Sequence, residues 1–154
     1  MKPDEAHLHF SATCFNRSWE LLELPERSPA EDRELIATAQ ASLYHWIQRP
    51  DVTPKHMSIG LWLVARVHAV LGHATEALRV AQDCLDLSRD EDLEPFCLAY
   101  AHEAVCRAAW VAGDGALARE HLALVIEYAG RVEGEDRALI DADVAELRTR
   151  CAGE

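Results

Sequence analysis

Apolar residues recur at three- and four-residue spacing along most of the chain, and nowhere do they alternate with polar ones as a half-buried strand requires. Leu35, Ala39, Leu43 and Trp46 or Ile47 fall on one face of residues 31–48. Ser28, Pro29 and Glu31 precede them as a cap, a first-turn proline and a capping-box acid. Upstream, Phe15, Trp19 and Leu22 mark another amphipathic helix that ends near Pro25. Thr53 and Pro54 open a helix running to Gly72, apolar on most sides and therefore central. Residues 75–88 place Ala77, Ala81, Cys84 and Leu87 or Leu85 together. Asp92 or Asp90 is expected to cap the next helix, with Pro95 in its first turn. That helix ends at Gly113, and Asp114 caps another running to about Gly130. A last stripe, Ile140, Val144, Leu147 and Cys151, faces away from Asp136, Asp141, Asp143, Glu146 and Arg150, as a helix closing a stack requires. The pattern predicts an all-α chain of seven helices, antiparallel neighbours on short loops, in a single domain spanning 1–154.

The segment HAVLGHATEALRVAQDCLDL, residues 68–87, returns 41 positions later as AWVAGDGALAREHLALVIEY. Aligning Gly72 with Gly113 also matches Val64 with Val105, Arg66 with Arg107, Val70 with Val111 and Ala77 with Ala118. Each unit reads helix, glycine turn, helix. VLGHATEALRVAQDCLDL resembles the second half of a tetratricopeptide repeat, with a turn glycine, a small residue where helices touch, then apolar residues at helical spacing. The first helices depart from that pattern, with Val64-Ala65 and Val105-Cys106 in place of Leu-Gly and His68 and Ala109 in place of Tyr. No proline closes either unit, and the period exceeds the family's 34. The resemblance implies stacked antiparallel hairpins, a TPR-like α-solenoid with residues 8–48 as a degenerate first pair and a C-terminal capping helix.

Charge and cysteine content narrow the function classes. The 154 residues carry a net charge of −12, which disfavours nucleic acid and anionic membrane surfaces. Arginines greatly outnumber the two lysines, Lys2 and Lys55, which points to a GC-rich bacterial genome. Five cysteines without a C-x-x-C pair, and an N-terminus lacking a signal-peptide core, point to a reducing cytoplasm and buried, unpaired thiols. No G-x-S-x-G, phosphate loop or isolated carboxylate pair indicates an enzyme, and no cofactor is implied.

The resemblance also places the first helix of each unit along a concave groove. Ile59, Trp62, Arg66 and Ala69 would line it in one unit; Tyr100, Glu103, Arg107 and Trp110 would line it in the next. Two matched arginines among aromatics suit a carboxylate, since a guanidinium fork binds it bidentately. The competing reading pairs Glu103 with Arg107 on its own helix and with Arg66 across helices. Tyr44, His45 and Trp46 point in different directions and either close the end of the stack or, with Asn16 and Trp19, form a pocket. The histidines carry no H-E-x-x-H; His45 and His68 are expected inside and the others solvated. The leading expectation is a protein–protein interaction scaffold binding an acidic or C-terminal peptide segment, or self-associating as a homodimer through Leu8, Phe10 and Trp46. The alternative is a small-ligand or metal-binding enzyme or sensor with a polar pocket around His45, His68 and Glu103.

Overall fold

The computed structural model describes residues 1–152, and seven helices account for most of them: α1 (Pro3–Leu22), α2 (Pro29–Gln48), α3 (Pro54–Val70), α4 (Ala74–Asp90), α5 (Pro95–Val111), α6 (Gly115–Ala129) and α7 (Gly134–Cys151). Consecutive helices pair as hairpins, α1 with α2, α3 with α4 and α5 with α6, while α7 lies against α5 and α6. Helix α3 is central, packing on α2, α4 and α5. No described helix is long and apolar enough to cross a membrane.

Local chemistry explains the boundaries. Ser28 accepts from the Glu31 amide while Glu31 returns a bond to the Ser28 amide, a complete capping box at the start of α2. Thr53 and His56 do the same for α3, and the Asp114 side chain caps α6. The expected aspartate cap of α5 is not found. Its N-cap is Glu94, directly before Pro95, with no side-chain bond, and Asp92 has another task. Asp92 holds φ +47°, its amide bonds to the Arg89 carbonyl, and the Leu93 amide reaches the Ser88 carbonyl. That pattern terminates α4 as a Schellman motif. Gly72 at φ +77° and Gly113 at φ +79° terminate α3 and α5 in the same way.

Ala77 and Ala118, matched in the repeat, are both fully buried. The main core runs through Leu21, Leu35, Leu63, Val67, Val80 and Leu85, each large aliphatic contributing about 1.5–3 kcal/mol on burial. The face of α4 that points inward includes Leu85, while Leu87 is only half-buried. Helix α7 inserts Leu147 and Cys151 beside Cys106, Ala109 and Ala118, and Ile140 and Val144 beside Val125 and Ala129. Helix α1 meets α2 closely but stands off from α3, and large rings bridge the gap.

Candidate functional site: an aromatic cleft beside a closed ion network

Where α1, α3, α5 and α7 converge, a cavity of about 270 Å³ opens to solvent. Phe15 and Trp19 come from α1, Ser58, Ile59 and Trp62 from α3, Phe96, Cys97 and Tyr100 from α5, and Leu139 and Asp143 from α7. The rings meet at steep angles. Trp62 and Tyr100 have centroids 5.3 Å apart at 73°, and Phe96 and Tyr100 are 5.0 Å apart at 65°. Trp19 lies 5.7 Å from Trp62 at 30° and spans the gap between α1 and α3. A second, smaller cavity shares Phe15 and Ile59 and adds Ala12, Asn16, Trp46 and His56.

Directly behind the cleft lies the ion network. Glu103 is 1% exposed and accepts from Trp62 Nε1 at 2.7 Å, Arg66 Nη1 at 3.2 Å and Arg107 Nε at 2.7 Å. Arg107 also donates to Glu146 on α7 at 3.1 Å, and Arg150 reaches Glu146 at 2.9 Å. Burial alone would lower the Arg107 pKa, but Glu103 and Glu146 hold it above its usual range. Its buried Nη2 lies 2.7 Å from the Glu103 oxygen already taken by Nε and makes no hydrogen bond of its own. Three arginines face three carboxylates, Glu103, Asp143 and Glu146, so no net positive charge remains to attract an acidic segment.

Asp143 is the least satisfied of the three. It accepts one hydrogen bond, from the Tyr100 hydroxyl at 2.9 Å, while Arg66 and Arg107 stay 3.6 and 4.0 Å from its other oxygen. Burial, reinforced by Glu103, raises its pKa above the ordinary carboxylate value. The Tyr100 hydroxyl is pushed up as well, by burial and then by Asp143.

The structure sorts the expected groove residues into three places. Trp62 and Tyr100 line the cleft with Ile59. Arg66, Glu103 and Arg107 form the network behind it, so the internal pairing of the arginines is the arrangement realised, and Asp143 and Glu146 of α7 supply further carboxylates. Trp110 lies elsewhere, packed near Leu147 and Cys151, and Ala69 is in the core. Asp143 and Glu146 were expected on the outward face of α7. They flank its apolar stripe, and the matched arginines draw them inward.

His45, His68 and Glu103 do not form a common pocket. His45 bonds His7 at 2.9 Å, His68 bonds His73 at 3.3 Å, and Glu103 belongs to the arginines. No group of three or more potential metal ligands is found among the described residues. His102 and His121, expected in solvent, are buried and bond each other at 3.0 Å. Each hairpin therefore carries one imidazole pair, between its two helices for His7–His45 and His102–His121 and between α3 and the turn before α4 for His68–His73. Of the Tyr44–Trp46 cluster, Tyr44 is exposed, His45 turns to His7, and Trp46 stacks on His56 under Arg49. Trp46 is thus engaged within the chain, whereas Leu8 and Phe10 stay exposed. Burial pushes the thiols of Cys84 and Cys106 up to about 12 and that of Cys97 to about 11, so they are neutral near pH 7.

Phe15, Phe96, Cys97 and Leu139 were not singled out in the sequence as site residues. Phe96 lies two residues after the Glu94 cap, one turn before Tyr100, and that i,i+4 aromatic spacing was the available signal. No family model, no curated protein and no solved structure matches the chain.

Proposed function

We propose that this chain is a binding module of tetratricopeptide-like hairpins whose concave cleft receives a bulky group with a large apolar surface, presented by a partner. The observation that carries this reading is the open, aromatic-walled cavity beside arginines that are already neutralised by the chain itself. Aromatic side chains supply large contact area at low conformational cost, which is the usual composition of a binding hot spot. The adjoining cavity at Asn16, Trp46 and His56 extends the cleft along α1 and α3, enough for a partner segment with two anchors. Support for the hairpin reading comes from the two turn glycines at positive φ and from the buried Ala77 and Ala118 at matched positions.

The test uses Trp19 and Trp62 as intrinsic reporters. Peptides carrying one Leu, Met or Phe in a Gly-Ser background should shift the tryptophan emission and saturate. The same peptides with Ser at the anchor should not, and an acidic peptide without an anchor should not. Saturable binding of the acidic peptide alone would overturn the proposal and return the arginines to a ligand-binding role.

A further inference from the structure

Resting on that reading, we infer that the group the cleft takes is a methylated ammonium ion. Among the residues lining the cavity the only fixed charge is the carboxylate of Asp143, and no Lys, Arg or His lines it. The face of an aromatic ring is electronegative, so a cavity walled by several rings favours a cation that meets their faces, and favours it more once water is excluded. Two of these rings already attract cations from outside the cavity. Arg66 lies 5.8 Å from the centroid of Trp62, and Lys55 lies 5.6 Å from that of Phe96.

Asp143 supplies the counter-charge. Its single hydrogen bond comes from a neutral phenol, and burial, then Glu103, disfavours its ionised form. Arg66 and Arg107, 3.6 and 4.0 Å away without a hydrogen bond, offset that only in part, so its pKa stays raised. A cation in the cleft would relieve that, whereas an anion would aggravate it. Methylation follows from the shortage of acceptors. A bare ammonium has three donors to satisfy. The cavity offers only Asp143, the Tyr100 oxygen, and Ser58, whose hydroxyl is engaged with Ser88. Methyl groups need no acceptors and pack against Phe15, Ile59 and Leu139. The chemistry is shared by the side chain of a methylated lysine on a partner and by a free choline-like molecule.

The deciding comparison is choline against 3,3-dimethyl-1-butanol, its neutral carbon isostere, titrated into the wild-type protein by tryptophan fluorescence and calorimetry. Choline should bind at least about tenfold more tightly, the advantage expected of a desolvated cation–π site. Asp143→Asn and Trp19→Leu, checked for an intact melting transition, should each remove most of that advantage. Equal affinities for the two isosteres would overturn the inference. A trimethyllysine peptide, compared with its unmodified form, separates the sources. Binding about tenfold tighter than choline assigns a modified partner, and parity with choline assigns the free ion. The neutral probe N-phenyl-1-naphthylamine distinguishes failure of the inference from failure of the cleft itself. If the probe is displaced by an anchor peptide but not by choline, the ammonium assignment falls and the cleft stands. If neither the probe nor any ligand binds, both fall.

Discussion

Glu103 is a carboxylate enclosed by protein and kept there by three donors, so its partners are worth most when one is taken away. Arg107→Ala should cost about 3–5 kcal/mol in urea unfolding, because it strands a buried charge. Adding Glu103→Gln should restore most of the loss; a double variant as unstable as the single would show that Arg107 acts through packing alone. Arg66, more exposed and bonded at 3.2 Å, should cost less, about 1–2 kcal/mol. His102 gives the complementary acid effect. Burial, then His121 and Arg89, lowers its pKa from 6.5 to about 4, while Tyr128 of α6 stacks on its ring. Burial lowers the pKa of His121 too, against the opposing pull of Glu120. The neutral imidazole is the folded form. Its contribution is therefore complete above pH 6.5 and is lost as pH falls from 6.5 through 4, by about 2–4 kcal/mol. Urea midpoints at pH 7, 5.5 and 4.5 should trace that decline, and His102→Asn should flatten it; an unchanged slope would rule His102 out as the cause. The ion pair was legible in the sequence as i,i+4 charges. The buried histidines were not, because a lone His in an apolar helix gives no sign of a second one positioned to receive its hydrogen bond.

Helix boundaries depend on single residues at the turns, and these are legible in the sequence where capping is local. Ser28, Glu31, Thr53, Gly72, Gly113 and Asp114 all act at the ends assigned to them. Aspartate favours the N-cap, so the sequence offers Asp92 or Asp90 there, yet Asp90 ends α4 and Asp92 occupies the left-handed residue just beyond it. A residue with a Cβ is strained there, so Asp92→Gly should stabilise by about 0.5–1 kcal/mol. Gly72→Ala should destabilise by about 1–2 kcal/mol at the equivalent turn. Thermal melts of the two variants should move in opposite directions; movement in the same direction would mean turn geometry is not the governing factor. Ala77→Leu should cost about 1–3 kcal/mol, since its site is closed on all sides. The register of α7 was legible only in its apolar stripe. Which charged residues flank that stripe usefully depends on the arginines of α3 and α5, a contact more than thirty residues away in sequence.

At the scale of the whole molecule, the hairpin stack followed from hydrophobic period and turn chemistry, but the cleft did not. It exists because α1 stands off from α3 and because rings from three helices, closed over by α7, fill the margin, which periodicity along one chain does not encode. Helix α7 ties the two sides together, with Asp143 beside Arg66 of α3 and Glu146 bonded to Arg107 of α5. Asp143→Asn combined with Glu146→Gln should speed amide exchange along α7 relative to α3, with a stability loss of about 1–3 kcal/mol. Uniform acceleration in all helices would argue against a specific role for these contacts. Stacks of helical hairpins are elastic: each unit touches only its neighbours, and small changes in angle add up along the array. An ionic strut running from α7 to both α3 and α5 opposes that flexing at one point. The jaws of the cleft therefore keep a set width, and the spring constant of this short stack should fall when salt weakens its looser arm, Arg66 to Asp143 at 3.6 Å.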